Sequence, residues 1–399
     1  MLKRLALAAA LSVAAVQAQA QEVKVGVVYP FSGPSAELGQ QGWRGMELYL
    51  KENADQIKPY KITVIKRDTK GPGGADAKVA VQELITQDKV DILAGFIYSP
   101  NAIASASLLT AAKKPMVIAN AGTAFITNLT PYYARVSFSM WHAAYAMGKA
   151  AVEQLKAKTA VVAYTDFPPG KDSLDAFKKS FEAAGGKVID QIPIGSPAQV
   201  PDMTPFFQRA KEKKPDVLFV FVPAGDHAVA VAKTYAALGM KAAGIKLIGP
   251  GDITQDNKLQ AMGDAAVGLI TMHHYNADLD TPENKKFVAA YKKAYGANEV
   301  PDFVAEGGYV AMAAVVHAAK ATKGKMDSAS VMKALKGWKY NAPRGPITID
   351  PETRDIIMNE YLSEIVKKDG SLHQKRIGMI KDVKDGCKEL KIGRCAKGP

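Results

Sequence analysis

Apolar runs and amphipathic stretches alternate with regularity along this chain. "EVKVGVVYP" (22–30) reads as a strand and is followed by a helix from about Glu37 to Ala54. "KITVIKRD" (61–68), "VDILAGFIY" (90–98) and "PMVIAN" (115–120) read as further strands, separated by the helices "ADAKVAVQELITQ" (75–87) and "PNAIASASLLTAAK" (100–113). After a long helix, roughly Trp141 to Lys156, the pattern restarts. "TAVVAYTD", "KVIDQIPI", "DVLFVFVP" and "KLIGPG" are its strands; "LDAFKKSFEAAG", "TPFFQRAKEKK" and "AVAVAKTYAALG" are its helices. Strands nearly continuous in apolar residues and separated by helices imply parallel sheets covered on both faces. Two such series in 399 residues predict two α/β lobes, and the absence of a low-complexity linker predicts short hinge connections between them.

Ligands of open parallel sheets sit beyond the C-terminal ends of the strands, near helix N-termini. Applied here, that rule selects the loops 29–34, 96–100 and 120–123 in the first half and 165–170, 223–226 and 249–252 in the second. The strand "PMVIA" stops at Asn120-Ala121-Gly122-Thr123, where small residues let backbone approach something closely, either protein or ligand. Ser99-Pro100 also makes a good helix start, Ser as N-cap and Pro as the first helical residue; capping alone and a ligand role are both open for Ser99.

Composition adds compartment and excludes some chemistry. Lys3 and Arg4, an apolar run from Leu5 to Val16 and the small-x-small site Ala18-Gln19-Ala20 read as a secretory signal peptide (1–20) cut before Gln21. That run is too short to span a bilayer, so an exported, soluble monomer is expected. Net charge is +13, falling to +11 without Lys3 and Arg4, but the lysines are scattered among acids. A solvated surface accounts for them better than nucleic-acid binding does. Cys387 and Cys395 are the only cysteines. In an oxidising compartment a bridge closing "CKELKIGRC" is expected, with two free thiols as the alternative.

The chain lacks G-x-S-x-G, G-x-G-x-x-G and G-x-x-x-x-G-K-[ST], which argues against a hydrolase elbow and against dinucleotide and P-loop sites. "GPGG" (71–74) reads as a loop before a helix. His273 and His274, as neighbours on a strand, are expected to point to opposite faces and not to share a metal. No enzyme activity and no cofactor are expected.

In order and spacing, "VKVGVVYPFSGPSAELGQQGWRGMELYL", "LAGFIYSPN", "PMVIANAGTAF", "EGGYVAMAAVVHAA" and "PRGPITID" resemble the periplasmic solute-binding proteins of ABC importers, specifically the branched-chain amino-acid (leucine/isoleucine/valine) type. The resemblance covers nearly all of the mature chain. It implies the type I periplasmic binding fold: α/β, two Rossmann-like lobes with parallel central sheets, joined by three hinge crossovers and closing on ligand. The crossovers fall near Ser139, His273 and Gly345, which gives lobe one as 21–139 and 274–345 and lobe two as 140–273 and 346–399.

By the same resemblance, the ligand carboxylate is held in lobe one by Ser99, Ala121 and Thr123, with the backbone N–H groups of Ala121 and Gly122 facing the ligand. The tyrosine and glutamate with which amino-acid binders hold an ammonium correspond to Pro223 and Gly251. Asp252 is one residue away and, together with Asp226 or Glu306, could still pair an amine. Phe31, Tyr98, Phe125, Phe167 and Trp141 gather at the expected mouth; each alone is as consistent with core packing, but together they favour a flat apolar ligand. The expected function is periplasmic capture of a small carboxylate, aromatic or apolar in body, for a membrane ABC permease. A branched-chain amino acid or amide, a sensor role toward a receptor or regulator, and an exported hydrolase are the alternatives.

Overall fold

The computed structural model describes residues 21–195, 200 and 202–397; the signal peptide expected at 1–20 lies outside them. Five strands form a wholly parallel sheet in the order β2-β1-β3-β4-β5: β1 (Gln21–Tyr29), β2 (Tyr60–Asp68), β3 (Ile92–Gly95), β4 (Met116–Ile118) and β5 (Tyr133–Arg135). The second sheet contains β6 (Thr159–Thr165), β7 (Lys187–Ile194), β8 (Val217–Phe221), β9 (Lys246–Pro250) and β10 (Ile270–His273), all parallel. It continues antiparallel through β11 (Lys339–Ala342), β12 (Gly345–Ile349), β13 (Ile356–Lys368) and β14 (Ser371–Val383). The predicted β-α alternation is thus realised up to β10. The antiparallel extension is an addition that the helix-strand rhythm did not foresee.

The strands of both sheets are fully buried at their centres, Val25, Val27, Ile92 and Val117 in the first and Val162, Phe219 and Ile248 in the second. Burial on both faces is why these strands carry so few polar residues. Helices Ala36–Glu52 and Phe303–Ala321 pack with their backbones in contact: a Cβ on Gly45 would fall 1.8 Å from the carbonyl oxygen of Ala305, and one on Gly308 2.0 Å from that of Gly42. Glycine is required there, and this packing holds the segment after β10 against the first sheet.

Two of the expected crossings, those near Ser139 and Gly345, are pinned by buried polar groups. Ser139 caps helix Met140–Glu153, and its N–H donates to Nδ1 of His142, whose Nε2 donates to the carbonyl of Ile356. Burial depresses the His142 pKa to about 3, so the ring stays neutral and keeps this one tautomer. Arg344 makes a two-pronged pair with Glu306 and donates to the carbonyl of Ser137 at 3.0 Å, joining the first and third crossings. The structure joins Cys387 to Cys395 in a disulfide, Cα–Cα 5.8 Å. Among the described residues no helix is long and apolar enough to cross a membrane.

Candidate ligand-binding site

β3 and β4 end side by side, and each runs into a short loop. The loop after β3 reaches helix Ser99–Ala111, with Tyr98 as the N-cap in extended geometry (φ −102°, ψ 138°) and Ser99 and Pro100 opening the first turn. The N-cap is therefore one residue earlier than the Ser-Pro pair suggested, which frees the Ser99 hydroxyl from capping its own helix.

The loop after β4 is oriented by Arg135, which is wholly buried. Its guanidinium donates to the carbonyls of Ala121 (3.1 Å), Thr123 (2.7 Å) and Ala124 (3.1 Å), and its charge is met by Asp355 at 2.5 Å and Asp385 at 3.4 Å. A trans peptide places N–H opposite to C=O. Turning these carbonyls toward Arg135 consequently turns the N–H groups of Gly122 and Ala124 away from it. The Gly122 carbonyl accepts from Met140 N–H at 2.8 Å, which sends the Thr123 N–H to Ser99 Oγ at 3.0 Å. Ala124 N–H donates to the carboxylate of Asp172, on helix Pro168–Ala183 of the second lobe, at 2.8 Å. The turn is thus already an anion site. Burial pushes the Asp172 carboxyl up to about 7, against the pull of Ala124 N–H and Arg135.

Two groups here have no partner among the described residues: the Gly122 N–H and the fully buried Thr123 hydroxyl. Ala121 behaves differently from expectation. Its N–H donates to the Phe96 carbonyl at 3.0 Å, so it cannot meet a ligand, and its methyl packs in the core under helix Ser99–Ala111. The small side chain is needed for protein packing at Ala121. At Gly122 it leaves room for Phe138, whose ring would lie 3.1 Å from an added Cβ.

Between the lobes lies a narrow cavity of about 40 Å³, which shares Leu38, Tyr98, Phe167, Pro223 and Ala224 as lining residues with a wider outer groove of about 610 Å³. One wall of the inner cavity is Tyr98, Ser99, Asn120 and Gly122; the opposite wall is Phe167, Phe221, Pro223 and Asp252. Phe138 and Phe303, 5.9 Å apart and edge to face, line it as well, and Phe167 stacks on Phe221 at 6.0 Å. No basic side chain lines it among the described residues.

Of the residues singled out from sequence, Tyr98, Ser99, Gly122, Phe167, Pro223 and Asp252 meet in this cavity. Three aromatic residues do not. Trp141 is buried against Tyr145, with ring centres 6.0 Å apart; Phe31 stands edge-on to Tyr29 beneath Lys66; and Phe125 is covered by Arg394 at 3.6 Å. Core packing and cation–π contact account for them. Phe138, Phe221 and Phe303 take their place, and only Phe221, at the end of a strand already identified, was within reach of the strand-end rule.

The candidate acids also separate. Glu306 is committed to Arg344, and Asp226 is exposed and paired with Lys258 at 3.1 Å. Asp252 alone faces the cavity, with Oδ2 unpartnered and its carboxyl pushed up to about 7 by burial. His273 and His274 do not diverge as expected. β10 ends at His273, so strand alternation no longer governs His274, and the two rings come within 4.2 Å beside Phe138 and Phe303. Both are kept neutral by burial, and no metal-binding group of three or more His, Cys, Asp or Glu occurs among the described residues.

Residues 22–371 match the periplasmic binding protein family. The chain is 37% identical over 379 residues to "Leu/Ile/Val-binding protein homolog 6" of Brucella melitensis biotype 1, covering 94% of this chain and 96% of that one. Its fold is similar to that of an ABC transporter solute-binding protein from Rhodopseudomonas palustris BisB5 in complex with 3,4-dihydroxy benzoic acid. That likeness has a TM-score of 0.87 and 42% identity, over 92% of this chain and 99% of that one. A second R. palustris solute-binding protein, in complex with 4-hydroxybenzoate, gives a TM-score of 0.87 at 36% identity, over 92% and 98%. With its paired α/β lobes and interlobe cavity, the chain belongs to the periplasmic binding protein family and has the type I fold.

Proposed function

We propose that this protein captures a small carboxylate with an aromatic body in the periplasm and delivers it to a membrane ABC permease. The observation that carries this reading is the division of the cavity. The Ser99 hydroxyl and the Gly122 backbone on one wall offer hydrogen bonds to an anion, with the unpartnered Thr123 hydroxyl buried beside them and not itself lining the cavity, while rings make up much of the remaining wall. Backbone and hydroxyl donors at a helix start stabilise a carboxylate without a cationic side chain in contact with it. The two R. palustris proteins described above are bound to hydroxylated benzoic acids, which fits. Ligand is held in lobe one and covered by lobe two, by a shift of an open–closed equilibrium.

A second reading, an amino-acid ligand, is favoured by the carboxyl of Asp252 and by the name of the Brucella relative. Calorimetry with benzoate, 4-hydroxybenzoate and leucine decides between them. Binding of an aromatic acid with no heat from leucine is expected; micromolar binding of leucine alone would overturn the proposal.

Closure itself has a test in Asp172. Its bond to Ala124 N–H runs from one lobe to the other, so opening would break it, and charge-assisted bonds contribute about 1.5–3 kcal/mol. Asp172→Ala is expected to weaken ligand binding about tenfold and to leave the ligand-free protein less compact in small-angle scattering. Unchanged affinity and an unchanged profile would remove Asp172 from the closing mechanism.

A further inference from the structure

Asp252 is the one acid lining the inner cavity among the described residues, and one of its two carboxyl oxygens has no protein partner there. It sits just after β9 in the first turn Gly251–Thr254, is 6% exposed, and its Oδ2 has no hydrogen-bond partner among the described residues. The neighbouring backbone is fixed: a Cβ on Gly251 would fall 2.5 Å from the His273 ring, so the turn is held close against that side chain. A buried carboxyl without a partner costs free energy unless a bound molecule satisfies it.

The position of Asp252 says which part of a ligand that must be. It belongs to the second lobe, whereas Ser99 and Gly122 belong to loops of the first sheet. A carboxylate seated on Ser99 and Gly122 therefore cannot also sit against Asp252, where it would meet like charge or compete for one proton. What reaches Asp252 is the remote edge of the ligand, and between the two ends the wall is formed by Phe138, Phe167, Phe221 and Phe303. A hydrogen-bond donor carried on the far edge of a flat ring is a phenolic hydroxyl.

Resting on the aromatic-carboxylate reading above, we propose that Asp252 is the specificity residue of this site, accepting the hydrogen bond of a ring hydroxyl remote from the carboxylate and so selecting hydroxylated benzoic acids over benzoate. The burial that raises its carboxyl to about 7 supports the role, because a carboxyl near neutrality accepts from a phenol in either protonation state. Sites built around a ligand hydroxyl reject the analogue that lacks it because their own buried polar group is then left unpaired.

The test is calorimetry on the full mature protein with benzoate, 4-fluorobenzoate, 3-hydroxybenzoate, 4-hydroxybenzoate and 3,4-dihydroxybenzoate. At least one hydroxylated acid is expected to bind about ten- to a hundredfold more tightly than both benzoate and 4-fluorobenzoate, the latter matching a hydroxyl in size without its proton. Asp252→Leu is expected to collapse that ratio to within about threefold, and Asp252→Asn, which keeps an acceptor oxygen, to restore part of it. A parent protein that binds 4-fluorobenzoate as tightly as every hydroxylated acid overturns the inference without need of any variant. So does an Asp252→Leu ratio equal to the parent's. If the parent binds no aromatic acid at all, the underlying reading of the ligand fails, and this inference fails with it.

Discussion

Arg135→Leu is expected to destabilise the folded protein by about 3–5 kcal/mol, the cost of breaking a buried ion pair from one side. The guanidinium is fully buried and lies between Asp355 and Asp385, both themselves buried. Burial alone would drive Arg135 toward neutrality, and it depresses its pKa to about 10, opposed by the charges of Asp385 and Asp172. At neutral pH the group remains charged. Leucine would leave Asp355 leaning on Lys388 and Thr127 and Asp385 without its cation, and three carbonyls of the turn 121–124 would lose their donor. Lys388 is a poor substitute: in the parent, burial above all, then Arg135 and Arg354, pulls its pKa down to about 6, and burial and Arg354 remain in the variant. The denaturant midpoint measures the loss. Lys178→Ala, which breaks an exposed i,i+4 pair with Glu182, serves as the control and is expected to change stability by less than about 0.5 kcal/mol. An Arg135→Leu midpoint as close to the parent's as the control's would show that the cluster contributes nothing.

Arg135 also marks where reading the sequence stopped. The strand-end rule located the loops 96–100 and 120–123 because a continuous apolar run and its abrupt end are local signals, and six residues singled out from such loops do line the cavity. What orients the second loop is a side chain from β5, a three-residue strand too short to show a pattern, working with Asp355 and Asp385 from the far end of the chain. Sequence distance hides such a cluster. Ala121 shows a related limit. A small residue permits close approach of backbone to protein or ligand alike, and only the bond from its N–H to Phe96 shows that protein is the partner. The aromatic residues divided for the same reason: Phe138 stands one residue before Ser139 and Trp141 two residues after it, and only the packing of the lobes decides that Phe138 faces the cavity. β11 to β14 went unread because they pair antiparallel with one another and β10, outside the β-α rhythm that revealed the rest.

The double substitution Ser99→Ala, Thr123→Val is expected to weaken binding of the aromatic carboxylate by a hundredfold or more while leaving the ligand-free fold nearly as stable. On the proposed site each hydroxyl would give one charge-assisted bond to the anion, Ser99 from the cavity wall and Thr123 from its buried place beside Ser99; at about 1.5–3 kcal/mol each, the two losses together exceed a hundredfold. The two effects separate because of how the hydroxyls stand in the protein. Thr123 Oγ1 has no partner among the described residues, so valine of similar shape removes an unsatisfied polar atom and should cost the fold little. Ser99 Oγ already accepts from Thr123 N–H and has its own proton left to donate. Alanine there removes one acceptor at the cavity wall, and ordered water can replace it in the ligand-free protein. The single variants place the contribution of each group. Ser99→Ala should act on the ligand and on the Thr123 N–H together, so the sum of the single effects should differ from the double, as it does for residues that share a hydrogen bond. Calorimetry with 4-hydroxybenzoate and thermal unfolding without ligand read the two quantities independently. Parent-like affinity in the double variant would place the carboxylate elsewhere in the cavity and leave the unpartnered Thr123 hydroxyl without a function.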